Sequence, residues 1–158
     1  MVTNESMDHL WLTLNLDALA ASRSMDPPLA RLAEAALVVL HASVTVLEPF
    51  VDSVVRSEVE SDTEFEALAN KIHIVDYLES EYDFANVLCQ GVLYCRRLAD
   101  RLLTLGISFC VALTADPEAG TVVARFFRRR PGEEWFASDL NAFEEAVALW
   151  GLSETSET

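Results

Sequence analysis

The spacing of apolar residues changes at Gly106, and this change constrains the fold more than any other feature of the chain. Between residues 27 and 105 apolar side chains recur at the spacing of helices. Residues 107–114 and 121–129 instead alternate with the period of two that is typical of strands. The turn-forming sequence DPEAG lies between them, which predicts a β-hairpin.

Start and stop signals delimit three helices before Gly106. The sequence DPP at 26–28 provides a capping aspartate followed by prolines suited to a first turn. The sequence SDTE at 61–64 has the pattern of a capping box. Gly106 stands where a helix commonly ends in a left-handed residue. The three helices are expected at 27–48, 62–79 and 83–105.

The two ends of the chain are assigned less directly. Residues 9–16 contain alternating leucines, which suits a strand, but nearby capping residues and the following DALAAS favour a helix. After a turn at Pro131-Gly132, residues 134–136 could add a short third strand. Ser138 is expected to cap a last helix over 139–150, and 153–158 to form a disordered tail.

The expected fold class is therefore α+β. A helical N-terminal bundle of about four helices precedes a β-hairpin or three-stranded meander, and a C-terminal helix ends the domain. The length of 158 residues suits a single domain, expected over 1–152.

Charge provides the main functional indication. The net charge is −15, with 26 acidic residues against 11 lysines and arginines. Such a surface repels nucleic acid and anionic membranes and attracts basic protein surfaces, although solubility alone is an alternative explanation. We therefore expect a protein partner, and neither nucleic acid nor a membrane.

Two sequence features are candidates for the partner-binding surface. Acidic residues bracket the helix expected at 62–79, and the capping preference of helix starts explains only some of them. They are Glu58, Glu60, Asp62, Glu64, Glu66, Glu79, Glu81 and Asp83. The second feature is the strand face formed by Arg125, Phe127 and Arg129, because aromatic residues and arginine are enriched at binding hot spots. That face could alternatively be covered within the chain.

Catalytic and metal-binding patterns are missing from the sequence. No HExxH, CxxC, GxSxG, GxGxxG or P-loop motif occurs, so no catalytic residue, metal ligand or cofactor is expected. Asp76 is expected to be partly buried, either in a structural ion pair or as a functional carboxylate. A pocket lined by Asp76, His73 or Tyr77 would favour the hypothesis of an enzyme that acts on small molecules. Cys89, Cys95 and Cys110 have no pairing pattern, which predicts reduced thiols and a cytoplasmic protein.

The segment RPGEEWF at 130–136, followed by DLNAF at 139–143, resembles small acidic bacterial immunity proteins, which protect a cell from a toxin. The resemblance extends over about 107–150 and implies an inhibitor that blocks a basic toxin domain through an acidic surface. The small size, acidic charge and α+β class also suit a second function, that of an acidic chaperone or adaptor for a secreted effector. An enzyme acting on small molecules is the alternative from a different class.

Overall fold

A five-stranded antiparallel sheet organises the protein in this computed structural model, which describes residues 1–40, 43–53, 59–80, 82–106, 108–133 and 135–151. The strands are β1 (Val2–Thr3), β4 (Ile72–His73), β5 (Phe109–Asp116), β6 (Thr121–Arg128) and β7 (Ala146–Trp150). Their order across the sheet is β1-β7-β5-β6-β4. The hairpin predicted after Gly106 is confirmed as β5 and β6, which pair from Phe109 opposite Arg128 to Asp116 opposite Thr121.

The long helix α5 (Phe84–Leu103) packs across one face of this sheet, close to the helix predicted at 83–105. A glycine permits this close packing, because a Cβ on Gly91 would lie 2.9 Å from Leu113 Cδ1 and 3.0 Å from Val122 Cγ1. Leu88 and Leu98 of the helix are fully buried in the same cluster as the sheet residues. α5 is therefore the central helix of the fold.

Three short helices near the N-terminus complete this layer. They are α1 (Glu5–Thr13), α2 (Leu16–Ser22) and α3 (Pro27–Ala33). The preference for helix over strand at 9–16 is confirmed, since these residues lie at the end of α1 and the start of α2. Met7, Leu16 and Leu29, one from each helix, are fully buried in the cluster under α5.

The helix predicted at 27–48 is wrong after Ala33. The chain instead forms β2 (Leu37–Leu40) and β3 (Val44–Leu47), which pair with each other in a separate two-stranded sheet. Pro49 lies in a short 3₁₀ helix, Glu48–Phe50. Both strands are rich in valine, and β-branched side chains favour strands when a packing surface is available. Nearly every position of these two strands is apolar, so the sequence was compatible with the helical spacing of 3.6 residues as well as with the strand spacing of two.

The helix predicted at 62–79 is also too long. α4 (Asp62–Ala69) ends at Asn70, and the chain continues into β4 and a 3₁₀ helix, Ile74–Tyr77. Ile72 and His73 pair with Ala124 and Val123 at the edge of the main sheet. Asp76 is exposed, so the expectation that it is partly buried is wrong.

The C-terminal helix predicted at 139–150 is a strand. Residues 146–150 form β7, which inserts between β1 and β5, and Leu140–Ala142 form a single 3₁₀ turn. Asp139, rather than Ser138, caps that turn by accepting a hydrogen bond from the Asn141 amide. The predicted N-terminal bundle with a C-terminal helix is thus overturned, and the α+β class alone remains correct.

A second layer covers the opposite face of the sheet. α4 lies against β6 and β3, and residues 131–133 and 135–143 cross the strands beside it. Phe127, Cys110 and Leu149 are buried there, with Trp135, Phe136 and Phe143 packed against them. The third strand expected at 134–136 is not formed by Trp135 and Phe136. Glu134 and the tail expected at 153–158 lie outside the described residues.

None of the described helices combines the length and apolar character needed to cross a membrane.

The three cysteines of the chain all lie in the described part and are free and buried, as predicted. Burial raises the pKa of Cys110 to about 12, raises that of Cys89, and raises that of Cys95 well above its usual range. Because the thiolate is the reactive form, burial suppresses the reactivity of the native thiols at pH 8.

We therefore expect the native protein to be almost inert to Ellman's reagent at pH 8, and the protein denatured without reductant to react at three thiols. Fast labelling of the native protein would contradict the burial, and a single reactive thiol after denaturation would indicate a disulfide.

Candidate functional site

Three segments that are distant in sequence form an acidic groove at one end of the main sheet. It has a volume of about 700 Å³ and is lined by the start of α1, the β5–β6 turn and the residues that lead into β7. Five carboxylates face it, from Glu5, Asp116, Glu118, Glu144 and Glu145. No lysine or arginine of the described residues lines the groove.

Local structure holds these carboxylates in place. Asp116 accepts hydrogen bonds from the amides of Glu118 and Ala119, at 2.9 and 3.0 Å, which shapes the turn. The last pair between β5 and β7 joins Ala115 to Ala146, so Asp116 and Glu145 are next in register. Like charges that meet across strands destabilise a sheet, and the nearby Arg125 guanidinium offsets part of this repulsion at Glu145.

Asn4 fixes the third side of the groove. Its side-chain oxygen accepts hydrogen bonds from the amides of Met7 (3.0 Å) and Val147 (2.9 Å). Its side-chain nitrogen donates to the carbonyls of Glu145 (2.8 Å) and Leu140 (3.3 Å). This buried residue both caps α1 and joins it to β7, so it positions Glu5 beside Glu145.

Among the acids predicted at the partner surface, Glu66 has a structural position. Its side chain is fully buried and forms an ion pair with Arg130, whose two terminal nitrogens lie 2.9 Å from the two carboxylate oxygens. The same oxygens accept hydrogen bonds from the amides of Thr45 and Arg128, each at 2.6 Å. Glu66 therefore joins α4 to β3 and β6 and is inaccessible to a partner.

The other predicted acids occupy several places. Asp62 accepts a hydrogen bond from the Ser43 hydroxyl, and Glu64 accepts one from the Glu60 amide. Asp83 caps α5, and its bonds with Asn86 lower the pKa of its carboxyl. Glu60 and Glu79 are exposed, whereas Glu58 and Glu81 lie outside the described residues. Of this set, the structure brings Glu60, Asp62 and Glu64 together around the start of α4.

The strand face of Arg125, Phe127 and Arg129 lies on the second side of the sheet. Phe127 is only 5% exposed and packs against Trp135 and Phe136, with ring centroids 6.4 Å away in each case. The Arg125 guanidinium lies over the Trp135 ring, 5.8 Å from its centroid. Burial lowers the pKa of Arg125, and the negative charge of the nearby Glu145 raises it by a smaller amount. The alternation of faces predicted for this strand is confirmed, and the segment 131–143 covers its aromatic centre.

Most of the described arginines have contacts within the protein. Arg96 pairs with Asp17 and Arg97 with Glu34. Arg101 and Arg128 donate to the backbone carbonyls of Ala33 and Ser43. Arg130 pairs with Glu66, and Arg125 lies near one groove carboxylate, that of Glu145.

Sequence reasoning missed the groove residues Glu5, Asp116, Glu118, Glu144 and Glu145. Each lies beside the end of a helix or strand, where an acidic residue is unremarkable on its own. Only the β7–β5–β6 pairing order brings them together, and a C-terminal helix would have kept them apart. Within the described residues, no group of three or more histidine, cysteine, aspartate or glutamate side chains is arranged to hold a metal ion.

Comparison with known proteins places the chain in a family. A family model described as the uncharacterized protein PM0498 family matches residues 2–158. The chain belongs to this family. The match includes every strand of the main sheet and all the residues of the acidic groove, so the groove lies within the domain that defines the family. No curated protein matches the chain, and no solved structure matches it.

Proposed function

We propose that this protein is a cytoplasmic inhibitor of the immunity-protein kind, which binds a basic toxin domain and blocks it by occlusion. The observation that carries the proposal is the acidic groove, where five carboxylates converge with no described lysine or arginine among them. Buried charges are usually paired, whereas exposed like charges held together attract a cationic partner. A lysine- or arginine-rich surface of another protein is the partner that fits.

The arrangement of the other charges supports this choice. Arg96, Arg97 and Arg130 are engaged with acids elsewhere in the fold, so they do not neutralise the groove. Asp116 and Glu145 are held next in register; the nearby Arg125 offsets part of their repulsion, and a bound cation would reduce it further. Binding would then relieve a repulsion built into the free protein.

A direct test uses the polypeptide encoded by the gene adjacent to this one, which for an immunity protein is the toxin. Co-expression should restore growth, and the purified pair should form a complex. The contact surface can then be tested with Glu118→Gln/Glu144→Gln, which removes two exposed groove charges without changing side-chain size. Association should slow and the affinity should fall about tenfold at 0.15 M salt, where screening over about 8 Å limits the effect to nearby charges.

The matched control is Glu60→Gln/Glu79→Gln, which removes the same charge from exposed acids outside the groove. We expect it to change the affinity less than about twofold at the same salt concentration. If only the control weakens the complex, the contact surface is the one predicted around the 62–79 segment, and the groove assignment is wrong. If the adjacent polypeptide neither binds nor loses toxicity, the proposed function itself is wrong.

A further inference from the structure

A second cleft lies on the covered face of the main sheet, away from the acidic groove. It has a volume of about 740 Å³ and opens between the strands and the segment 131–140. Its floor contains Cys110, Phe127 and Leu149, and Trp135, Phe136 and Leu140 form its wall. Ligand sites for small molecules have this size and this predominantly apolar lining.

The segment that forms the wall has little regular structure. Between β6 and β7 the described residues contain only the 3₁₀ turn Leu140–Ala142. It is held by aromatic packing, including Phe136 against Phe143 at 5.4 Å, and by Glu133, which accepts a hydrogen bond from the Thr63 amide. Connections of this length without helices or strands are commonly functional.

Two arginines and one glutamate provide the charges in the lining of the cleft. Arg129 lines the cleft and is exposed, and its guanidinium forms no hydrogen bond or ion pair with any residue that the structure describes. Of the other two charged lining residues, Arg130 is neutralised by Glu66, whereas Glu133 accepts a hydrogen bond from the Thr63 amide and keeps its negative charge. The cleft therefore offers an apolar interior and, at its edge, one guanidinium that has no side-chain partner among the described residues.

From this combination we infer that the cleft binds a small apolar molecule carrying a single anionic group. The aromatic and aliphatic walls receive the apolar body, and the guanidinium of Arg129 pairs with the carboxylate or sulfonate. An uncharged molecule would leave this arginine unused, and a basic one would be repelled by it. This site is independent of the acidic groove and does not rest on the proposed function.

The test uses two dyes that differ in charge. Anilinonaphthalene sulfonate has the required apolar body and one sulfonate, and N-phenyl-1-naphthylamine has the same rings without the anion. Fluorescence titration of the full chain should show saturable binding of both. Arg129→Gln should weaken the sulfonate dye about tenfold and leave the neutral dye within about twofold, since one charge-assisted contact is lost.

The control is Arg31→Gln, a change at another exposed arginine that lies outside the cleft, and it should affect neither dye. Amide NMR spectra recorded during the titration should show shifts confined to residues around Ser108, Arg129, Trp135 and Leu149. Equal binding of the sulfonate dye to wild type and Arg129→Gln would overturn the inference. So would shifts that map to another part of the protein, or the absence of saturable binding.

Discussion

Replacing Glu66 with alanine should destabilise the protein by about 3–5 kcal/mol, the cost typical of removing one partner from a buried ion pair. The carboxylate is fully buried and accepts four hydrogen bonds, two from Arg130 and one each from the amides of Thr45 and Arg128. Its loss leaves the mostly buried Arg130 guanidinium without its anion and two amides without an acceptor. Urea unfolding of the variant should show this as a lower midpoint at an unchanged slope.

Glu66→Gln should be nearly as unstable as the alanine variant, because all four groups around the carboxylate are donors. The amide nitrogen of glutamine would add a fifth donor where only acceptors are useful. The matched control is Glu60→Gln, an exposed acid near the start of α4, which should stay within about 0.5 kcal/mol of wild type. A Glu66→Gln variant as stable as this control would show that the buried pair has little influence on the fold.

Asn4 should be the second most sensitive position. Asn4→Ala removes the cap of α1, leaves the buried amides of Met7 and Val147 without an acceptor and removes a donor from the Glu145 carbonyl, whereas the Leu140 carbonyl still accepts from the Phe143 amide. We expect a loss of about 3 kcal/mol, from about 1 for the cap and the rest for buried groups left unsatisfied. Thermal or urea unfolding measures it.

The aspartate variant separates the two roles of Asn4. Asparagine and aspartate cap helices about equally well, so Asn4→Asp would be harmless if capping were the only role. Its carboxylate would instead face two carbonyl oxygens, and we expect a loss of about 2 kcal/mol. Asp83→Asn, a swap at the exposed cap of α5, should change stability by less than about 0.5 kcal/mol. An Asn4→Asp variant as stable as wild type would mean that the link to β7 contributes nothing.

Capping signals illustrate what local sequence can and cannot predict. Ser61 caps α4 as its pattern indicates, by accepting a hydrogen bond from the Glu64 amide. Asp26 also precedes a helix, yet its carboxylate makes no cap bond. It accepts instead from the Glu79 amide and the Tyr82 hydroxyl, more than 50 residues away. The sequence located the helix start, and tertiary contacts determined the use of the side chain.

The sequence alone determined the α+β class, the helix now seen as α5, the β5–β6 hairpin and the strongly acidic charge. These properties depend on interactions between residues close in the chain, or on composition. In α5 apolar residues recur at the helical spacing and polar residues lie on the opposite side of its C-terminal half. The hairpin has a turn between two runs that alternate with a period of two, so only one type of element fitted each segment.

Tertiary structure alone decided the strands at 37–47 and 146–150, and with them the acidic groove. β7 is buried along its whole length because both faces of the sheet are covered, and a strand covered on both faces loses the alternation that would identify it. Its position beside β5 brings Glu145 next to Asp116, and the groove exists only through that pairing. Contacts between residues so distant in the chain leave no local pattern, and for that reason the sequence predicted the charge of the surface but not its place.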